Sequence, residues 1–510
     1  MSNPVAALWK GADTYPDRIA VRSGDRILRY GELRDRITRS AAYFAGHDVA
    51  PGDRVLLVAP SIPEFVIAYY GLHTIGATVI TVNTMSARHE IDYVVEDSGT
   101  SLIVAWHESA AAADLVATDR GIPFVELRAF EEDANADGPS VDAFVEREED
   151  DTAVILYTSG TTGKPKGAQL SIANVNAAPV AFRSALRLAD DERWATALPL
   201  FHCFGQVVVM HNALTWGGSL SLLSPFAPVE FMNRLRDERA TIACGVPTMW
   251  NAMLQNASNY TADDFADLRL ACSGGASMPG EVIRAFADTF GCAILEGYGL
   301  TETAGTATFR NLDGAPKVGT VGQALPGFTI EVRDPDGAPL RADEVGEIFI
   351  KGPTVMTGYW NRPDATASEL VDGWLRTGDI GSMDADGDVR IIDRAKDLII
   401  RGGYNVYPRE VEEVLYGHPD IVEVAVVGVP DTHYGEEIAA VIAVRPGAVV
   451  DTAALREWAK ERLSAYKVPR IVHVVDALPK GATGKILKRA IDRDSLRELT
   501  SSSSGTPRSR

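Results

Sequence analysis

Residues 158–167 read Thr-Ser-Gly-Thr-Thr-Gly-Lys-Pro-Lys-Gly, which gathers three glycines, four hydroxyl side chains and two lysines with no acidic group. That set suits phosphate. Gly160 and its fellow glycines let main-chain N–H groups approach an anion closely, Thr158, Ser159, Thr161 and Thr162 add donors, and Lys164 and Lys166 bring the charge a triphosphate needs. The competing reading is a solvated, lysine-bearing turn. A Walker A loop is excluded, because Thr158 stands where that pattern needs Gly and Pro165 where it needs Ser or Thr.

A second constellation follows at 293–303, Ala-Ile-Leu-Glu-Gly-Tyr-Gly-Leu-Thr-Glu-Thr. It is no Rossmann fingerprint, since Glu302 occupies the third glycine position. Glu302 suits a hard oxygen ligand for Mg²⁺ on phosphates, with Thr301 hydrogen-bonding the α-phosphate, Tyr298 stacking on a purine and Gly299 turning the chain. A helix N-cap at Thr301 with acid in the first turn competes with that reading. Asp379, after Thr377-Gly378, is placed to accept ribose hydroxyls, and Arg394 follows as a phosphate partner; an Asx-turn at Asp379 is the alternative.

These residues need a scaffold, and the chain offers one of α/β type. A helical pattern at 30–45, strands at 54–58, 79–82 and 102–105, and the apolar run at 153–156 alternate through the first third. The acidic stretch 131–151 reads as a surface excursion. After Lys396 the texture changes: a helix at 408–415, strands at 422–427 and 438–444, a helix at 452–463 and a strand at 471–475 form a compact unit. The tail beyond 490 is Ser-rich and expected to be disordered.

At 510 residues, 46% apolar and 23% charged, the composition is that of a globular protein, and a net charge of −21 disfavours a nucleic-acid surface. The four cysteines form no metal-type pair and fit a reducing compartment. No long apolar run suggests a membrane span, so the expectation is a cytoplasmic protein. His47, His73, His89 and His107 stand alone, without a carboxylate or cysteine at ligand spacing.

In order along the chain, the 157–167 loop, Leu198-Pro-Leu-Phe-His-Cys-Phe-Gly205, the Gly274-Gly275 turn, the 293–303 segment, 372–379, 391–410 and Leu478-Pro-Lys-Gly-Ala-Thr-Gly-Lys-Ile-Leu-Lys-Arg489 resemble the motifs of an acyl-CoA synthetase of the adenylate-forming superfamily. The resemblance implies an α/β fold with a large multi-subdomain domain over 1–394 and a small mobile lid over 395–490, hinged near Lys396. It implies His202 beside the carboxylate being activated and Gly274, Gly275 and Ala276 bordering adenine. Lys485 becomes the adenylating cation, and Gly402, Gly403 and Tyr404 face coenzyme A. The acyl pocket is expected among Phe201, Val246, Thr248, Gly305 and Ala307.

The implied substrates are ATP with Mg²⁺, coenzyme A and a carboxylic acid; a homodimer is compatible with it. A carboxylate is a poor acyl donor, so it first displaces pyrophosphate from ATP, and a thiol then displaces AMP. The small, apolar pocket residues favour an apolar acid, whether a medium- or long-chain fatty acid or a bulky one, over a dicarboxylate. Alternatives are an aryl-acid CoA ligase, a ligase that loads a carrier-protein phosphopantetheine, a luciferase-like oxygenase and a non-catalytic acyl-adenylate sensor.

Overall fold

The computed structural model describes residues 3–129, 139–158, 164–310, 312, 317–481 and 483–497. Ser159, Gly160, Thr161 and Thr162 of the phosphate-type loop, part of the acidic excursion and most of the C-terminal tail lie outside them.

Two sheets with parallel centres carry the larger part of the chain. In one, the strands Ile294–Tyr298, Leu270–Ser273, Ile242–Gly245, Arg193–Thr196, Ser219–Leu222 and Ile19–Ser23 run parallel side by side, with antiparallel strands at both edges. In the other, Thr152–Thr158, Thr78–Thr81, Arg54–Val58, Leu102–Trp106 and Phe124–Leu127 are parallel, and Lys166–Ser171 and Gly358–Tyr359 close one edge antiparallel. Val55 through Val58 are buried, as a strand covered on both faces requires, and this is why the sequence shows an unbroken apolar run there. The helix Tyr30–Ala45 and the strand Arg54–Val58 fall where the periodicity puts them.

A third sheet, antiparallel, pairs Thr329–Arg333, Gly346–Lys351, Trp374–Met383 and Val389–Arg394. The last two strands form a hairpin whose turn holds Asp384, Asp386 and Asp388 around the Lys317 ammonium, at 2.7 to 2.8 Å. Beyond it the C-terminal part has its own sheet, Tyr404–Val406, Ile399–Arg401, Gly435–Val444 and Ile421–Asp431, with Ile471–Val475 added in parallel. Helices Pro408–Tyr416 and Thr452–Lys460 cover it, and their buried leucines and valines make a core separate from that of the larger part. The architecture is therefore mixed α/β, larger at the N-terminal side. Among the described residues no helix is long and apolar enough to cross a membrane.

Candidate active site

The hairpin aligns Asp379 and Arg394 as direct cross-strand partners, although 14 residues separate them in the chain. Their side chains meet, Arg394 Nε lying 2.9 Å from Asp379 Oδ1. The other carboxylate oxygen accepts from the Tyr298 hydroxyl at 2.5 Å. Tyr298 ends the strand Ile294–Tyr298, so one carboxylate joins the third sheet to the C-terminal end of a parallel sheet. That edge is where open α/β sheets bind ligands. Tyr298 is partly buried against the core, and that burial together with Asp379 raises its hydroxyl pKa well above the ordinary value, keeping it a donor.

Past Tyr298 the chain doubles back so tightly that a Cβ on Gly299 would lie 2.3 Å from the Gly305 carbonyl carbon. The short 3₁₀ turn Thr301–Thr303 sits within that loop. Glu302 is half-buried; desolvation, with repulsion from Glu369, raises its pKa. One of its oxygens accepts from the Tyr359 hydroxyl at 2.9 Å, and the same hydroxyl reaches Glu369. Lys166 pairs with Glu369 at 2.5 Å and lies 4.1 Å above the Tyr359 ring. Lys166 thus has a protein partner in Glu369. Tyr359 and Glu369 escaped the sequence reading, because nothing in Gly-Tyr-Trp or in the helix Pro363–Glu369 shows that both face Glu302.

His202 leads into a π-helix, Phe204–His211, that the sequence does not announce. Its Nδ1 accepts the Phe204 N–H at 3.2 Å, so the neutral ring carries its proton on Nε2. Desolvation and the positive charge of Lys485 push its pKa down to about 4. Cys203 lies beside it, with Sγ 3.8 Å from Thr301 Oγ1, and was also missed. A Cβ on Gly305 would crowd Val208 Cγ2 at 3.1 Å and lie 3.5 Å from Cys203 Sγ, and the backbone there stands at φ +76°, so packing and conformation both call for glycine. Val246 and Ala307 are buried, and Phe201 is held by its carbonyl, which accepts from Thr81 Oγ1 at 2.8 Å.

The turn Gly274-Gly275-Ala276 follows the strand Leu270–Ser273, with Gly275 at φ +78° and both Gly275 and Ala276 exposed. Val246 bridges it to the C-terminal part. Its Cγ1 would be 3.7 Å from a Cβ on Gly275 and its Cγ2 3.1 Å from one on Gly484. Lys485, next in the chain, keeps solvent access in the cleft, yet Arg394, Asp379, Asp397 and Lys396 all act on its charge. Desolvation and the repulsion of Arg394 lower its pKa. The structure therefore brings Lys485, His202, Asp379 and Arg394 into one electrostatic neighbourhood.

It does not bring Gly402, Gly403 and Tyr404 there. They form the tip of the hairpin Ile399–Arg401 with Tyr404–Val406, where Gly402 packs on Tyr434 and the exposed Tyr404 stacks on Tyr466 at 4.9 Å. Lys396 lies on the exposed 3₁₀ turn Ala395–Asp397, directly after the strand that ends in Arg394, and a polar hollow lined by Asp397, Glu436, Lys488 and Arg493 opens beside it. Thr248, expected on the acyl wall, directs its hydroxyl to the Gly484 carbonyl at 3.1 Å.

A mixed α/β fold with a glycine turn at the C-terminal end of a parallel strand and a carboxylate–guanidinium pair beside it is of a kind that enzymes use to bind nucleotides, and comparison with known proteins gives the family. The family model described as AMP-binding enzyme matches residues 8–360, and that described as AMP-binding enzyme C-terminal domain matches 410–485. The chain belongs to the AMP-binding enzyme family, among the acyl-CoA synthetases and ligases of the adenylate-forming superfamily. It is 38% identical to a feruloyl-CoA synthase from Amycolatopsis sp over 97% of this chain and 99% of that protein. It is 33% identical to a long-chain-fatty-acid–CoA ligase from Bacillus subtilis, over 95% of this chain and 93% of that one. The ATP-bound crystal structure of MatB from Rhodopseudomonas palustris superposes with a TM-score of 0.91 at 33% identity, covering 98% of this chain and 99% of that one.

Proposed function

We propose that this ligase activates an apolar monocarboxylic acid with ATP to an acyl-adenylate and passes the acyl group to coenzyme A, releasing AMP and pyrophosphate. The observation that carries the reading is the convergence of Lys485, His202, Asp379 and Arg394 at the C-terminal edge of a parallel sheet. In this reading Asp379 and Tyr298 take the ribose and adenosine side, and Arg394 the phosphate side. His202, neutral and protonated on Nε2, offers a donor to the substrate carboxylate. Lys485 neutralises charge between that carboxylate and the α-phosphate, where a preorganised cation is most effective.

Glu302 presents a half-buried carboxylate with an oxygen beyond the one Tyr359 occupies, a hard donor of the kind Mg²⁺ prefers. Magnesium would reach it with the phosphates and offset their charge. The residues assigned to the acyl pocket, Phe201, Val246, Thr248, Gly305 and Ala307, carry no charge, which suits an apolar acid. Relatives are named feruloyl-CoA synthase, long-chain-fatty-acid–CoA ligase and 2-succinylbenzoate–CoA ligase, so aryl and aliphatic acids both belong in the test. The lid reading, with residues 395–490 turning about Lys396 so that Gly403 replaces Lys485, rests on the separate C-terminal core and the remote glycine hairpin.

The test is a panel of aromatic, medium-chain and long-chain acids, scored for pyrophosphate release and for thioester by mass spectrometry. AMP and an acyl-CoA are the expected products; ADP as the main product would end this reading. Lys485→Ala should lower the rate of acyl-adenylate formation about a hundred- to a thousandfold.

A further inference from the structure

The helix Pro247–Gln255 carries Thr248 and Asn251 one turn apart, so the two side chains share a face. Both reach across to the C-terminal part. Thr248 Oγ1 donates to the Gly484 carbonyl at 3.1 Å, and Asn251 Nδ2 donates to the Val422 carbonyl at 3.2 Å. The acceptors belong to two elements, since Val422 lies in the strand Ile421–Asp431 and Gly484 in the turn that presents Lys485.

Those elements are tied together by Glu423, whose carboxylate accepts the Leu478 N–H at 3.4 Å and pairs with Lys480. The turn is also closed on itself, with Gly481 N–H donating to the Lys485 carbonyl at 2.8 Å and Leu487 N–H to that of Pro479 at 2.8 Å. Fixing two points of this unit therefore fixes where Lys485 stands. The fit is close at Gly484: a Cβ there would meet Thr248 Oγ1 at 3.0 Å and Val246 Cγ2 at 3.1 Å, and its φ of +76° suits glycine.

We propose that Thr248 and Asn251 form a two-point dock that seats the Lys485 turn for adenylation and releases it for thioester formation. Both are positioning residues acting through Lys485, and the proposal rests on the two-step reaction proposed above. The bonds are neutral and part-exposed, each worth a few-fold to about tenfold in an equilibrium. Two such bonds favour one lid orientation without trapping it, which a turnover that uses both orientations requires.

Three variants test it: Thr248→Val and Asn251→Leu together, which remove both donors; Thr248→Ser, which keeps the hydroxyl; and Gly484→Ala, which crowds the seat. Adenylation is followed by single-turnover pyrophosphate release, and the second step by thioester formation from supplied acyl-adenylate and coenzyme A. For the double variant the ratio of adenylation rate to thioester rate should fall about ten- to a hundredfold, and Gly484→Ala should move it the same way; Thr248→Ser should keep the parent ratio. A second readout needs no turnover: dipolar spectroscopy between spin labels at the exposed Val229 and Val449, in the presence of a non-cleavable ATP analogue. The parent should give one dominant distance and the double variant a second population. Equal slowing of both steps, an unchanged ratio, loss in Thr248→Ser equal to that of the double variant, or identical distance distributions would each overturn the dock. If the parent forms no adenylate from any acid, the proposed function falls, while the distance measurement still decides the dock.

Discussion

Two titratable side chains near the site have environments that set opposite demands. Glu296 sits two residues before Tyr298, buried, with the Met278 N–H donating to it at 3.0 Å, and burial lifts its pKa to about 7. Its folded form holds a proton more tightly than an unfolded carboxyl does, so its contribution to stability is complete below about pH 4.5 and is lost as the pH rises through about 7. Glu296→Gln keeps the acceptor without the charge. It should stabilise the protein by on the order of 2 kcal/mol at pH 8 and by almost nothing at pH 4.5, as denaturant melts at the two pH values will show. His202 runs the other way, with a pKa of about 4 against an ordinary 6.5, so its stabilising contribution is present above pH 6.5 and is lost as the pH falls towards 4. The adenylation profile of the parent should therefore show no His202 limb near 6.5. In Lys485→Ala the imidazole should titrate higher, a change that ring-proton NMR of His202 would detect.

At the scale of elements, much was legible because regular elements write their period into the chain. The strand at 471–475 and the helix starting at Pro408 agree with the structure, since apolar alternation and an N-terminal proline are local signals. The π-helix Phe204–His211 was not legible, because its apolar stretch has no period that distinguishes it from a buried strand or α-helix. Site residues divide similarly. Asp379 and Arg394 could be paired from their motifs, and the hairpin register explains why. Tyr359 and Glu369 could not, because they reach Glu302 from the edge strand of the other parallel sheet and from the helix behind it. Tyr359→Phe should thus leave two carboxylates without their shared donor; the expected result is a weaker response of ATP binding to Mg²⁺ by about tenfold in calorimetry, at near-parent thermal stability. Gly299→Ala should do worse, because both atoms a new Cβ would meet on Gly305 are main chain. A drop in melting temperature accompanied by loss of adenylation is expected, and parent-like melting would refute the crowding.

For the molecule as a whole, the lysine turn and the glycine hairpin lie on one C-terminal unit with its own core, and only the first of them stands in the cleft. A Cβ on Gly403 would meet nothing within 4 Å, so a bulky residue there costs only the strain of φ +83° in this arrangement. Gly403→Trp should accordingly leave adenylation within about threefold of the parent while slowing thioester formation at least about a hundredfold; equal loss in both steps would remove the glycine hairpin from the coenzyme A path. The contacts of Thr248 and Asn251 have a consequence for descent. Both are addressed to carbonyl oxygens, which every residue type supplies, so the smaller unit can exchange its side chains at Val422 and Gly484's neighbours while the joint survives. Such a joint is a generic coupling, open to inheritance from a cousin: grafting residues 410–490 of a relative onto this larger part should preserve acid selectivity, because the proposed acid pocket, Phe201, Val246, Thr248, Gly305 and Ala307, is drawn wholly from the larger part.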